Sequence, residues 1–462
     1  MNKPSITMTH VCQSWRNVLL STPSLWTQID LSARKAKQAK GFLGRSGNQL
    51  LDIYQSFNAR RGMEPFLSTT LPNIHRLRWL KIETFSADLE HVLARFTESA
   101  PELKYLYFRN NPSRTRRDME LRNTIFEGRL PKLTSLSLFY FRTDFCDFNF
   151  LSLTRLEFTA GTITSVQDLK SFFERCPSLE LVYICLNYLP KPPTAPPKER
   201  VRLAALKKLR LDKTACTGDL LDHLILPTCT EVILDGRYID DEFNQRSFPM
   251  PRIHPSSIDH LPVTRGITKA VVMPHSCVFS GPNGNLRFWC LDNTYGNFDA
   301  EFFTSFSPIS VSEITELWIG RSRIESYPHP SCAYWRQTPA GTHGAFGVLK
   351  KVEDLTIVNC ETEHFFTMLG STVDDSILLL GLQRLTVYVW YTVLDVPALI
   401  RCAKARKEHS RPLLEVTIVW EEPGADFVQE VESLREFVGE VIYRIGELAP
   451  ELPSTDESFE TW

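Results

Sequence analysis

The chain has 462 residues, 43% hydrophobic and 11% aromatic, and its 52 basic and 54 acidic side chains leave a formal net charge of -2. A chain of this length buries a large core and divides into several globular units unless a repeat lets it grow in one dimension. The balanced charge excludes the basic excess that nucleic acid or an anionic membrane surface requires. The 11 cysteines include no Cys-x-x-Cys pair and no histidine partner at zinc spacing, so they read as small buried hydrophobes in a reducing compartment, cytoplasmic or nuclear. No apolar run approaches the roughly 20 residues that span a bilayer, and no secretory leader or lipidation motif is present.

In chain order, the first informative stretch is Thr9-His10-Val11-Cys12-Gln13-Ser14-Trp15-Arg16-Asn17-Val18-Leu19-Leu20-Ser21-Thr22-Pro23-Ser24-Leu25-Trp26. Val11, Trp15, Val18 and Leu19 fall on one helical stripe. The helix is expected to end near Ser21-Thr22-Pro23, because proline cannot continue it, and Leu25 and Trp26 are expected to fold back on the stripe. The order V-C-x-x-W-R-x-x-L-x-S-T-P-x-L-W resembles the second half of the F-box-like module found at the start of many fungal proteins of basidiomycete type. There it docks a substrate receptor onto the Skp-type adaptor of a cullin-RING ubiquitin ligase. Family members carry a Leu-Pro-x-Glu-rich helix and a second helix before this segment, whereas Met1 to Met8 alone precede it here. The resemblance therefore implies a truncated module over residues 1–32 whose adaptor binding is weakened. It also implies that Val11, Trp15, Val18, Leu19, Pro23, Leu25 and Trp26 form the adaptor-binding surface. The residues by themselves also allow a terminal helix whose Trp15 and Trp26 only close a core end.

After a connecting segment, residues 33–70, the chain becomes self-similar. The spacing L-x-x-L-x-L recurs as Leu77/Leu80/Ile82, Leu103/Leu106/Phe108, Leu133/Leu136/Leu138, Leu153/Leu156/Phe158, Leu179/Val182/Ile184 and Leu206/Leu209/Leu211. It continues more loosely as Cys229/Val232/Leu234, Ile267/Ala270/Val272, Ile314/Leu317/Ile319, Val352/Leu355/Ile357, Leu382/Leu385/Val387 and Leu413/Val416/Ile418. The first positions are separated by 26, 30, 20, 26, 27 and 23 residues, then by 38, 47, 38, 30 and 31. A leucine-rich repeat has a period of about 20 to 29 residues. The spacing predicts an α/β fold, an irregular leucine-rich-repeat-like solenoid over 71–420, regular over 71–235 and with long insertions over 236–420. Its strands form a curved parallel sheet, and returning helices over 86–96 and 165–175 present Leu89, Val92, Leu93, Phe96 and Val166, Leu169, Phe172, Phe173. The asparagine usual after the strand of such repeats is mostly missing.

Residues 188–197 are proline-dense and expected to be an extended loop, and 236–264 and 320–346 are long polar excursions. Arg114-Thr115-Arg116-Arg117 is expected to be a solvated loop, and Gly281-Pro282-Asn283-Gly284 a turn. Phe427, Val428, Val431, Leu434, Phe437, Val438, Val441, Ile442 and Ile445 trace one helical face, predicting a capping helix over 421–447 before an acidic tail, 448–462.

Motifs for catalysis are missing: there is no phosphate loop, no G-x-S-x-G elbow, no H-E-x-x-H and no kinase signature. The chain is expected to be a non-catalytic receptor without cofactor or metal, a monomer outside the ligase. Its partners are then the Skp-type adaptor and an unknown protein substrate, with neither nucleic acid nor membrane. The repeat register assigns the substrate-binding residues as Trp79, Tyr105, Tyr107, Arg109, Phe139, Tyr183 and Arg210, since Trp, Tyr and Arg dominate interface energetics. Two alternatives stay open: a leucine-rich interaction scaffold with no ligase link, and a chain in which residues 32–70 fold over these aromatics.

Overall fold

The structure is a computed structural model and describes residues 7, 10–31, 36–56, 63–111, 119–121, 125–143, 150–163, 165–188, 200–212, 217–235, 261–273, 276–289, 311–320, 346–358, 362–373, 376–389, 394–420 and 425–446. The fold is α/β, with two units, Met1–Cys229 and Thr230–Trp462, each carried by mostly parallel strand pairing. The expected loops at 114–117 and 189–197, most of both long excursions and the acidic tail lie outside the described residues.

In the first unit the strands are Gln28–Asp30 (β1), Leu51–Ser56 (β2), Leu77–Phe85 (β3), Tyr105–Asn111 (β4), Met119–Leu121 (β5) and Ser135–Phe139 (β6). Phe141–Thr143 (β7), Arg155–Ile163 (β8), Leu181–Tyr188 (β9), Val201–Arg202 (β10), Lys208–Asp212 (β11) and Leu224–Ile225 (β12) follow. Pairing is parallel and in chain order, β1–β2–β3–β4–β6–β8–β9–β11. The expected neighbours 80–82, 106–108, 136–138, 156–158, 182–184 and 209–211 therefore lie side by side. Their hydrophobes, from Leu80 and Ile82 to Leu209 and Leu211, are all buried, because residues two apart on a strand share a face.

One turn explains why the first hydrophobe of each segment joins the same core. The N–H of Leu103 donates to Ala100, Leu133 to Leu130, Leu153 to Phe150, Leu179 to Cys176, Leu206 to Leu203 and Cys229 to Leu226. The next N–H then reaches the preceding segment, as Lys104 to Arg78, Thr134 to Lys104 and Glu180 to Thr154. All twelve first positions, from Leu77 to Leu413, are buried. Near the end of β4 the buried Asn110 donates its amide to the Tyr140 carbonyl at 3.1 Å.

Helices fill the connections: Gln13–Leu20 (α1), Ala36–Arg45 (α2), Met63–Thr70 (α3), Ser86–Leu93 (α4), Val166–Arg175 (α5) and Thr217–Asp222 (α6). The helices α4 and α5 bury the expected Leu89, Val92, Leu93, Val166, Leu169, Phe172 and Phe173. Ser165 caps α5 by accepting from the Asp168 N–H at 3.0 Å, which satisfies one of the N–H groups a helix leaves open. The segment expected to be a mere connection, 33–70, carries α2, β2 and α3. Its Leu51-Asp52-Ile53-Tyr54-Gln55-Ser56 run alternates as a half-buried strand does.

In the second unit Glu231–Asp235 (β13) is followed by Lys269–Met273 (β14), Ser276–Gly281 (β15), Gly284–Trp289 (β16), Glu316–Gly320 (β17) and Asp354–Val358 (β18). Thr372–Val373 (β19) and Ser376–Ile377 (β20) form a small hairpin before Arg384–Val389 (β21), Glu415–Trp420 (β22) and Glu440–Ile445 (β23). Chain order fails at β14: β13 pairs in parallel with β16, and β16–β15–β14 is an antiparallel meander. Parallel order resumes as β14–β17–β18–β21–β22–β23. The expected Gly281–Gly284 turn joins β15 to β16, and Gly284 (φ +124) allows it, since a Cβ there would stand 2.0 Å from the Thr230 carbonyl oxygen.

The helices here are Thr362–Leu369 (α7), Val396–Glu408 (α8) and Ala425–Glu432 (α9). Arg406 on α8 is fully buried and donates to the carbonyls of Leu378, Leu379 and Leu382. The capping helix over 421–447 is corrected: α9 is short, a 3-10 turn covers Ser433–Glu436, and β23 adds a strand to the sheet. Val441, Ile442 and Tyr443 favour a strand, and there the β23 backbone gains hydrogen-bond partners on β22.

Candidate functional site

In-register pairing turns the side chains opposite the core into rows across the first unit's sheet. One row is Asp52, Trp79, Tyr105, Ser135, Arg155, Leu181 and Lys208; the next is Tyr54, Lys81, Tyr107, Ser137, Glu157, Tyr183 and Arg210. A third is Ser56, Glu83, Arg109, Phe139, Thr159, Cys185 and Asp212. All seven residues expected to bind substrate, Trp79, Tyr105, Tyr107, Arg109, Phe139, Tyr183 and Arg210, share this one face. Tyr105 and Arg109 are exposed, and the other five are half-buried.

The half-burial comes from contacts along the rows. Lys81 Nζ lies 4.3 Å from the Tyr107 ring centre and 5.4 Å from that of Tyr54, and it pairs with Glu83 at 2.9 Å. Tyr107 and Phe139 are 5.0 Å apart, with the Arg109 guanidinium 5.8 Å from Phe139. Arg210 sits 4.9 Å from the Tyr183 ring and donates to Asp212, which also accepts from the Tyr183 hydroxyl at 2.7 Å. Such cation-over-ring pairs are worth about 0.5 to 2 kcal/mol depending on desolvation. Burial pushes the Tyr107 hydroxyl up to about 12 and raises Tyr183 further, so both stay neutral donors. The Glu157 carboxyl is also raised, by burial, against the opposing effect of its Ser137 hydrogen bond.

Compared with models of known protein families, the chain matches none. No curated protein matches it either.

The second candidate surface lies at residues 11–26. The helix α1 ends at Leu20, before the expected stop, and Pro23–Trp26 forms a 3-10 turn. Trp26 is fully buried, donates its indole N–H to the Leu19 carbonyl at 2.8 Å, packs at a tilt against Phe42 with ring centres 5.2 Å apart and lies under Arg45 at 4.7 Å. Leu19 is buried with it. The rest of the expected stripe points away: Val11 is 66% exposed, Trp15 53% and Val18 60%, and Leu25 and Pro23 are exposed too. Val11 precedes the helix. Trp15, expected to help close a core end, is 53% exposed, and Leu19 is the buried residue of α1.

Sequence reasoning missed Asp52 and Tyr54, which extend the face through β2. Their signal was the alternation in 51–56. The described part of 32–70 lengthens the sheet instead of folding over its aromatics. Among the described residues no group of three or more His, Cys, Asp or Glu could hold a metal ion, and Cys12 is exposed where a buried cysteine was expected.

Proposed function

We propose that this chain is the substrate-recognition subunit of a Skp-cullin-F-box type ubiquitin ligase, built as an irregular leucine-rich-repeat-like solenoid. The rows of Trp79, Tyr105, Tyr107, Arg109, Phe139, Tyr183 and Arg210 receive the target protein. The uncovered side of α1 docks the Skp-type adaptor. The observation that carries the reading is the division within residues 11–26. Leu19 and Trp26 are buried, Trp26 against Phe42 and Arg45 of α2, and Val11, Trp15 and Val18 are left as an apolar stripe facing outward. Exposed apolar side chains in such a contiguous stripe mark an interaction surface. The same turn before each repeated hydrophobe supports the repeat architecture.

Titrating the purified chain with a Skp-type adaptor tests the reading. Binding should weaken at least tenfold, about 1.4 kcal/mol, when Trp15→Ala and Val18→Ala are combined. A fusion that adds a complete F-box amino-terminal half should bind at least tenfold more tightly than the chain alone. If that fusion ignores the adaptor, the ligase role is wrong and a leucine-rich scaffold remains.

A further inference from the structure

On the middle row of the first unit's sheet, Glu157 stands between Ser137 and Tyr183 on the neighbouring strands. Its Oε2 accepts a hydrogen bond from the Ser137 hydroxyl at 2.9 Å, and among the described residues it forms no ion pair. Three other acids of the face are committed. Glu83 pairs with Lys81 at 2.9 Å, Asp212 with Arg210 at 3.0 Å and Asp52 with Arg78 at 2.6 Å. The cations whose fields reach Glu157 are Arg155, Lys81 and Arg210, and of these Lys81 and Arg210 are each held by their own carboxylate.

A half-buried carboxylate with one neutral hydrogen bond is unfavourable unless something pairs with it. Burial raises its carboxyl above the ordinary range, and perturbed groups of this kind concentrate at functional sites. Elsewhere on this face the same chemistry recurs: a cation lies over an aromatic ring and beside an acid, as Lys81 does with Tyr107 and Glu83, and Arg210 with Tyr183 and Asp212. Glu157 has the acid and Tyr183 on the next strand, and Arg155 two residues before it acts through its field, but no cation stands in ion-pair contact with it among the described residues. Ser137, the smallest side chain of the row, separates it from Tyr107.

We propose that the target captured by this face presents an arginine or lysine side chain that pairs with Glu157 between Tyr107 and Tyr183. The inference rests on reading this face as the protein-binding surface. Desolvated charge pairs at interfaces contribute most to specificity and dissociation rate.

Selection of a random peptide-display library on the full chain tests it, with Tyr105→Ala/Tyr107→Ala as the control surface. The expected result is enrichment of peptides with a basic residue at one fixed position. Those peptides should bind the Glu157→Gln chain about tenfold more weakly or worse, and selection on Glu157→Lys should replace the basic residue by an acidic one. The Gln variant keeps the shape and the Ser137 hydrogen bond, so a thermal midpoint no lower than the parent's separates lost pairing from lost folding. Peptides that need Tyr105 and Tyr107 but carry no basic position, or that bind Glu157→Gln equally well, overturn the inference and leave the face reading intact. Absence of any enrichment over the control surface overturns both.

Discussion

Trp26 gives its indole N–H to the Leu19 carbonyl and packs against Phe42, whereas Trp15 on the same short segment is 53% exposed. Trp26→Ala should therefore cost about 3 to 5 kcal/mol, while Trp15→Ala should stay within about 0.5 kcal/mol, as read by urea denaturation of the two variants. The helical stripe and the expected fold-back of Trp26 could not separate them, since exposure depends on which face of the helix the rest of the chain covers. The titration of Glu157 provides a second check. Its folded carboxyl is raised above the unfolded value, so between the two values the native state holds more protons and stability falls as pH rises. Glu157→Gln should match the parent below the unfolded value and become relatively more stable as pH climbs through the folded one. A pH-independent difference between the two melting curves would mean that burial of this carboxylate costs nothing.

At the level of elements, the strands of the first unit were legible because each buries a hydrophobe pair on one face, and the buried turn residues Ala100, Leu130, Phe150 and Cys176 recur before them. The meander β14–β15–β16 was not. An antiparallel strand shows the same alternation as a parallel one, and only Gly281-Pro282-Asn283-Gly284 hinted at a hairpin. Gly284 now explains its geometry: its positive φ and its approach to the Thr230 carbonyl both exclude a side chain. Gly284→Ala should destabilise the protein by about 2 kcal/mol or more, and an unchanged denaturation midpoint would show that the hairpin can shift away from β13. The carboxy-terminal misreading has a related cause. The apolar spacing through 427–445 fits a helix, but Gly439 lies where a Cβ would approach the Leu414 carbonyl oxygen to 2.7 Å. Past that close approach the backbone of Glu440–Ile445 runs in register with β22, a tertiary partner that no local pattern reveals.

For the whole molecule, the repeat spacing foretold an α/β chain of mostly parallel strands, which run in chain order through the first unit, and it placed the seven aromatic and arginine side chains on one face. It could not foretell how those side chains satisfy one another, because the Lys81, Tyr107 and Glu83 cluster joins β3 to β4 and exists only once the register is set. We propose this face and the α1 stripe as two separate binding surfaces. Sites that share no residues and lie apart act independently. The most direct measurement is affinity capture of adaptor and target together, using the parent chain, Tyr105→Ala/Tyr107→Ala and Trp15→Ala/Val18→Ala. The tyrosine variant is expected to lose the target and keep the adaptor, and the helix variant to do the reverse. Loss of both partners, or of neither, from two variants that melt like the parent would contradict it.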